Sequence, residues 1–298
     1  MGRTPPQEVL VKLRQEVNFG CPVPDCGIPY LTWHHFDPPW RIKEHHNPEG
    51  MIALCATHAA LADGNRWTRD QLREMKQKPF VPPDRVSDFY GYLRRNVVCV
   101  IGNVAYNVRD VLDINGERVI GFERDAEGYD RLNLLIRDSK GLPVLVMENN
   151  MWTAYSSDLY DLTCTTQGKE LRIVAKDGLT NLKMKFYDFP IEEFREYLVK
   201  GQHDTPLPEW LKPEMVSRLK ESVKNTDHVD WFLNEIGKPE TVPTWIITGK
   251  LSWADSSLVI RDFEIEDERR HNIFRMNFIV GGRAAFSFGR GSVAIGAA

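Results

Sequence analysis

Hydrophobic residues recur at helical spacing at the start of the chain. Residues 6–18, PQEVLVKLRQEVN, place a set of aliphatic side chains on one helical face: Val9, Leu10, Leu13 and Val17. Proline precedes the first of them, as is usual where a helix begins. The pattern predicts an amphipathic helix over this segment.

Apolar runs of strand length follow this helix. YLTWHHF and GMIALC predict two strands, which are separated by a turn-rich loop, DPPWRIKEHHNPEG. From Cys55 the pattern becomes helical again until DGNRW interrupts it. TRDQLREMKQK predicts a further helix, with Thr68 as its N-cap and Gln71 completing a capping box.

Most of the remaining chain alternates between polar and apolar residues with the period of a β-strand. Short runs in residues 97–190 are divided by NG, EG and KG turn signals. Residues 191–240 contain two amphipathic helical patterns, and residues 241–298 are again strand-like. We therefore expect an α+β protein with an N-terminal domain over residues 1–82 and a proline-rich linker over residues 83–96. A β-rich domain over residues 97–190, a helical segment over residues 191–240 and a C-terminal β-rich segment over residues 241–298 follow. We expect the C-terminal segment to pack with the β-rich domain.

Composition and charge limit the classes of function. The chain has 298 residues, of which 42% are hydrophobic and 27% charged, which is enough apolar material for folded cores. It contains no run of about 18 apolar residues and no signal-peptide core, so we expect a cytoplasmic protein without a membrane partner. The net charge of −4 gives no general attraction to nucleic acids, so a phosphate-binding site would need a local basic patch.

Cysteine and histidine are concentrated in residues 21–64, which contain three of the five cysteines and five of the eight histidines. Cys21 and Cys26 flank a tight PVPD turn. Cys55 and His58 form a Cys-x-x-His pair at the start of a predicted helix. Two close pairs of such ligands fit a tetrahedral Cys₃His site for a structural Zn²⁺. Simple burial of the cysteines is the alternative, and the short spacing within each pair favours zinc.

Two adjacent histidines, His34 and His35, end the first predicted strand, where neighbouring side chains face opposite sides. We therefore expect them to have different roles. Paired cysteines, a strand ending in His-His, a loop containing asparagine, and LC-x-x-H opening a helix together resemble the HNH family of nucleases. The resemblance covers roughly the first 80 residues and implies the ββα-metal fold for them.

The resemblance also implies hydrolysis of DNA phosphodiester bonds with a catalytic Mg²⁺ or Mn²⁺ separate from the zinc. Carried over to this sequence, it makes His35 the general base that deprotonates a water molecule. It makes His34 a ligand of the catalytic cation and Asn47 the residue that orients the base. Second-tier candidates for metal or phosphate contact are His45, His46 and Asp63.

The sequence departs from the family pattern at Ala59, where a histidine or asparagine usually contacts the metal. Three accounts are open. Asp63, one helical turn further on, reaches the ion instead; the site is degenerate and the domain only binds; or the chain is an inactivated variant of an active enzyme. We favour the third account, because His34, His35 and Asn47 are intact.

Residues 97–298 contain no recognisable set of catalytic side chains. We expect this part to recognise a partner, to regulate the N-terminal domain or to mediate assembly. The expected substrate of the whole chain is DNA. The expected partner of the β-rich body is a regulatory protein or a second copy of the chain. By analogy, HNH domains joined to such bodies occur in restriction, phage-defence and mobile-element proteins. The alternative function is a non-catalytic, zinc-stapled module that binds nucleic acid or protein, with assembly mediated by the β-rich body.

Overall fold

The computed structural model describes residues 2–165, 167–204, 227–253, 256–261, 263–267, 272–275, 278–280, 284–289 and 292–295. This part of the chain is a mixed α+β structure made mostly of sheets. It divides into two compact units, each assembled from separate stretches of sequence. The first unit comprises residues 1–91, 137–146 and 151–183, and the second comprises residues 92–136, 147–150 and 184–298.

The described residues form five α-helices and twenty strands. The helices are α1 (Gln7–Glu16), α2 (Ala56–Asp63), α3 (Arg69–Gln77), α4 (Ile191–Asp204) and α5 (Asp227–Glu235). The strands of the first half are β1 (Leu31–His35), β2 (Met51–Cys55), β3 (Arg85–Phe89), β4 (Val98–Val100), β5 (Val104–Tyr106), β6 (Asp110–Ile114), β7 (Glu117–Arg124), β8 (Asp130–Arg137), β9 (Pro143–Glu148) and β10 (Met151–Tyr155). Those of the second half are β11 (Leu159–Cys164), β12 (Glu170–Ala175), β13 (Asn181–Pro190), β14 (Thr241–Trp253), β15 (Ser256–Ile260), β16 (Glu264–Asp267), β17 (Asn272–Arg275), β18 (Phe278–Val280), β19 (Ala284–Gly289) and β20 (Ser292–Ile295).

The N-terminal part of the first unit is a helix, a two-stranded hairpin and two further helices. β1 and β2 pair antiparallel, and α2 starts directly after β2. The predicted capping box of α3 is confirmed: the Gln71 N–H donates to the Thr68 hydroxyl at 3.2 Å, and the Thr68 N–H donates to the Gln71 side-chain oxygen at 2.9 Å. These elements match the helices and strands that the hydrophobic pattern predicts.

One apolar core fixes the hairpin relative to α2. Helices α1, α2 and α3 each turn a buried face toward the hairpin, because burying that face removes apolar surface from water. The buried members of the core include Leu13, Val17, Phe36, Met51, Ile52, Leu54, Ala59, Ala62 and Leu72. The end of β1 and the end of α2 are thereby held at fixed positions.

The other strands of the first unit correct the predicted linker. Residues 83–96 contain β3, which pairs antiparallel with β10. The prolines before Arg85 end the helical pattern, but a strand can start directly after them. β11 and β12 also pair antiparallel within this unit.

The second unit combines sheets with α4 and α5. β6, β7 and β8 pair antiparallel in sequence order, and so do β14, β15, β16 and β17. Three pairs are parallel: β4 with β14, β5 with β18, and β6 with β19. The core under the two helices includes Val98, Val100, Val104, Phe194, Leu198, Val229, Phe232, Leu233 and Val242.

The two units do not follow the predicted domain boundaries. Residues 97–190 were expected as one domain, whereas the structure divides them between both units. Period-two alternation indicates that a segment is a strand, but it does not encode which strand it pairs with. α4 and α5 lie in the predicted helical segment, whose residues 205–226 fall outside the described residues. No helix in the described ranges is long and apolar enough to cross a membrane.

Candidate metal centre and adjoining histidine cleft

The four predicted zinc ligands converge in the first unit. The ligand atoms of Cys21, Cys26, Cys55 and His58 all lie within 4.8 Å of one another. The His58 Nδ1 atom is 3.3 Å from Cys21 Sγ and 3.4 Å from Cys55 Sγ, and the sulfurs of Cys26 and Cys55 are 3.9 Å apart. Tetrahedral zinc places such nitrogen and sulfur ligands about 3.5 Å apart and two sulfurs about 3.8 Å apart. The cluster is therefore compatible with a structural zinc ion.

Local backbone geometry brings these ligands together. Cys21 and Cys26 belong to a turn that is closed by hydrogen bonds from the Cys26 N–H to the Val23 carbonyl at 3.1 Å and from the Gly27 N–H to the Cys21 carbonyl at 3.2 Å. Cys55 is the last residue of β2 and the N-cap of α2, which places His58 in the first turn of that helix. Burial raises the pKa of the Cys21 thiol. A bound cation would offset this cost, because a metal ion favours the thiolate.

Beside this cluster, His34 meets the end of α2. His34 Nδ1 lies 2.9 Å from Asp63 Oδ1, and the His34 side chain is 10% exposed whereas that of Asp63 is 64% exposed. Burial lowers the pKa of His34; the carboxylate of Asp63 opposes this shift, and the positive charge of Arg3 adds to it. His34 is therefore neutral near pH 7, and its Nδ1–H donates a hydrogen bond to the Asp63 carboxylate, which leaves the lone pair on Nε2. Of the second-tier candidates, Asp63 is the one that contacts His34.

The ring of His35 is buried and has a defined tautomer. His35 is 6% exposed, and its Nε2 atom lies 3.0 Å from the carbonyl oxygen of His45. Since a carbonyl oxygen only accepts, Nε2 carries the hydrogen and Nδ1 keeps its lone pair in the neutral ring. Burial, together with the charges of His45, His46 and Arg3, lowers the pKa of His35 to about 4, although the hydrogen bond to the His45 carbonyl opposes the shift. His35 is therefore neutral at physiological pH.

The loop between β1 and β2 corrects the role predicted for Asn47. The Asn47 side chain accepts a hydrogen bond from the Glu49 N–H at 3.2 Å and caps the 3₁₀ turn Pro48–Gly50. The group that orients His35 is the carbonyl of His45. A sequence pattern cannot locate a backbone carbonyl, because every residue carries one.

His45 has a structural role in the same loop. Its Nε2 atom donates to the Pro38 carbonyl at 2.8 Å, and its Nδ1 atom accepts from the Asn47 N–H at 3.1 Å. Both ring nitrogens are engaged, so His45 fixes the loop and has no free nitrogen for a metal ion. Gly50 closes the loop, because its carbonyl accepts from Phe36 and a Cβ atom at Gly50 would collide with the carbonyl of Asp37.

Ala59 lies in the apolar core and is 9% exposed. Ala62 is buried on the same face of α2. Asp63 is four residues beyond Ala59, and side chains in a helix lean toward its N-terminus. Residues 59 and 63 therefore lie on neighbouring turns on the same side of α2, and of the two it is Asp63 that lines the cleft described next.

These residues line an open cleft of about 370 Å³ in the first unit. Its lining includes His34, His35 and Asp63, the tryptophans Trp33, Trp40 and Trp67, and the arginines Arg3, Arg41 and Arg69. The cleft thus combines three arginines with the carboxylate of Asp63, in a chain whose net charge is −4. Arg3 was missed by the sequence analysis, because it lies far from His34 along the chain and carries no motif.

Comparison of the chain with protein-family models, curated proteins and solved structures finds no match. The kind of site therefore has to be inferred from the side chains that form it. It consists of a Cys₃His cluster compatible with zinc and, next to it, a cleft with two histidines, a carboxylate and three arginines.

Proposed function

We propose that the protein is a metal-dependent endonuclease of HNH type that hydrolyses DNA phosphodiester bonds. One observation carries the proposal: a neutral histidine with a lone pair on Nδ1 lines the same cleft as a second histidine that lies 2.9 Å from a carboxylate. The first is His35, and the pair is His34 with Asp63. A hairpin followed directly by a helix, as in β1, β2 and α2, supports the same assignment.

His34 and Asp63 would be the residues that hold a divalent cation. Their 2.9 Å contact is the length of an N–H···O hydrogen bond, which a bound cation would replace once the His34 hydrogen moves to Nε2. Mg²⁺ commonly takes one or two protein ligands and completes its shell with water and phosphate oxygens. When bound, the cation would stabilise negative charge on the phosphate.

His35 would act as the general base. Its Nδ1 atom accepts a proton from a water molecule, whose oxygen forms a bond to phosphorus while the bond from phosphorus to the leaving sugar oxygen breaks. The imidazolium that forms keeps its Nε2–H bonded to the carbonyl of His45, which stabilises the charge. Because burial lowers the pKa of His35 to about 4, the ring is in the base form throughout the neutral range but is a weaker base than an imidazole with its usual pKa.

Position 59 bears on how active this chain is. With His34 and Asp63 as its side-chain ligands, the cation site has two protein ligands and lacks the third that the family pattern places at residue 59. Because Asp63 can serve as a ligand, we expect this chain to be weakly active. The sequence alone favours an inactivated variant. The structural zinc would hold the start of α2. The β-rich body would recognise a partner or regulate cleavage.

Nicking of supercoiled plasmid in Mg²⁺ or Mn²⁺ tests the proposal. We expect the chain to nick DNA and His35→Ala to lower the rate by at least about 100-fold, the usual contribution of a positioned base. His228→Ala is the matched control, since His228 is exposed on α5. Failure of both the chain and its Ala59→His variant to cut DNA, with zinc bound, would favour the non-catalytic binding module instead.

A further inference from the structure

Lys76 on α3 is a buried cation whose partners include the loop between β1 and β2. Its side chain is 10% exposed. The Nζ atom donates hydrogen bonds to the carbonyl of Pro48 and, at 3.0 Å, to the carbonyl of Met51. A third acceptor is the carboxylate of Glu16 on α1, whose Oε2 atom lies 3.0 Å from Nζ. Because an ammonium group has three N–H donors, these three acceptors match its full capacity.

The two carbonyls lie on either side of Gly50, in the segment that pairs with the end of β1. The Gly50 carbonyl accepts a hydrogen bond at 2.9 Å from the N–H of Phe36, the residue after His35. Met51 is the cross-strand partner of His35 itself. Lys76 therefore fixes the stretch of backbone that lies directly opposite His35.

Pro48 also connects Lys76 to the group that orients the His35 ring. The residue before it is Asn47, whose N–H donates to the His45 ring at 3.1 Å. The carbonyl of His45 accepts the Nε2–H of His35 at 3.0 Å. Since only two residues separate His45 from Pro48, displacement of Pro48 would move the carbonyl that sets the tautomer of His35.

Two other side-chain contacts of this loop are exposed. His46, a second-tier metal candidate, donates from Nε2 to the Gly2 carbonyl at 2.9 Å. Lys12 lies 3.3 Å from Glu49, and the two side chains are 50% and 73% exposed. Exposed pairs of this kind stabilise little, because water screens them. The buried attachment through Lys76 is therefore the stronger constraint on the loop.

Helix α1 gives Lys76 a counter-charge at a fixed position. Arg14, two residues before Glu16, donates to the Asp161 carboxylate of β11 from Nε at 2.7 Å and from Nη2 at 2.9 Å. Asp161 is 2% exposed, and a two-bond pair between guanidinium and carboxylate has a defined geometry. The contact anchors α1 within the first unit, and with it the carboxylate of Glu16.

We propose that Lys76 is a positioning residue for His35. Its bonds to the loop hold the His45 carbonyl where that carbonyl keeps the hydrogen of His35 on Nε2. Nδ1 then faces water with its lone pair free. The inference rests on the proposed nuclease function and adds a residue that is not among the described residues lining the cleft.

Two measurements on the whole chain test this role. The imidazole nitrogen NMR shifts of His35 report its tautomer without any cleavage, and plasmid nicking gives kcat and KM. Lys76→Met keeps the length of the side chain and removes its donors, so we expect both tautomers of His35 to be populated. We also expect kcat to fall by about 10- to 100-fold with KM nearly unchanged, since a displacement of about 1 Å can cost about 100-fold. Lys76→Arg, which keeps donors at this position, should recover part of both effects.

Lys78→Met is the matched control, because it removes the same charge by the same substitution at an exposed position next to the end of α3. It should keep the tautomer, kcat and KM of the parent. Bound zinc and the thermal midpoint show whether each variant is folded. If Lys76→Met does not fold because the carboxylate of Glu16 is left without its partner, the double variant with Glu16→Gln removes that charge and carries the same prediction.

A folded Lys76→Met protein with the His35 tautomer and kcat of the parent would overturn the assignment. A rise in KM with kcat unchanged would do so too, and failure of both the single and the double variant to fold would make Lys76 a residue of the fold alone. Absence of cleavage by the parent and by Ala59→His would instead overturn the nuclease proposal. In that case a changed tautomer in Lys76→Met would still show that Lys76 positions His35.

Discussion

Replacing Ala59 by histidine probes the cation site through the one position where the chain departs from the family pattern. Ala59 and Asp63 are four residues apart on α2, so their Cβ atoms are about 6 Å apart on neighbouring turns. If a cation is held between His34 and Asp63, as proposed, an imidazole at position 59 is expected to approach it from the neighbouring turn of α2. It would also add volume to the apolar core, because Ala59 is 9% exposed.

The two effects have opposite signs and can be measured separately. A third ligand should tighten the apparent affinity for Mn²⁺ by about 10- to 100-fold, as large an effect as changes to the groups that support metal ligands have. That factor corresponds to about 1.4–2.8 kcal/mol. Overpacking should cost about 1–3 kcal/mol of folding free energy. In a chain of this size each kcal/mol lowers the melting temperature by about 2–4 °C, so a decrease of several degrees is expected.

The assay is the initial rate of plasmid nicking as a function of Mn²⁺ concentration, together with thermal unfolding. Ala60→His is the matched control, since residue 60 is exposed on the same helix; its metal dependence should equal that of the parent. In the Ala59→His background, Asp63→Ala should weaken metal binding again. An Ala59→His variant with the metal affinity and rate of the parent would refute convergence of position 59 with Asp63, and so would an equal gain in Ala60→His.

Two further predictions concern the first unit. Chelation of zinc, or Cys26→Ser, should unfold the N-terminal hairpin as followed by proteolysis, because zinc ligation in small domains is worth about 10–16 kcal/mol. Cys164→Ser should keep its zinc, since Cys164 is buried outside the cluster. Asp177 accepts hydrogen bonds from the backbone N–H groups of Ser139, Leu179 and Thr180; burial opposes its charge, but these bonds outweigh burial and lower the pKa of Asp177. Its stabilising effect is therefore present above its unfolded pKa of about 3.9 and lost as pH falls through the lower folded value. Urea unfolding should find Asp177→Ala less stable by about 1–3 kcal/mol at pH 7, with a smaller difference at pH 3; an equal difference at both pH values would contradict this.

Where the sequence predicts the structure well, the information is local. Cys55 and His58 converge because a helix starts between them, and the rings of His34 and His35 have different partners because side chains alternate along a strand. The capping box at Thr68 is local for the same reason. Each of these inferences needs only the conformation of a few consecutive residues.

Where the sequence fails, the deciding contact is made by distant residues or by the backbone. Asn47 was expected to orient His35, but the path of the loop places the carbonyl of His45 against the His35 ring instead. Arg3 reaches the cleft through a tertiary contact between Gly2 and His46, which no spacing encodes. The boundaries of the two units were missed for the same reason, because strand pairing is a choice between remote partners.

The arrangement of α2 links the zinc cluster to the cleft. Cys55 of the Cys₃His cluster is the N-cap of the helix, His58 lies in its first turn, and the helix ends at Asp63, which contacts His34. Such a short helix is marginal in isolation, and most of its stability comes from tertiary contacts, here the packing of Ala59 and Ala62 and the groups held at its two ends. Loss of zinc would release the start of α2 and displace Asp63 from His34, although Asp63 is not a zinc ligand. Zinc removal should therefore abolish cleavage even in excess Mg²⁺, and restoring zinc, but not adding more Mg²⁺, should return it.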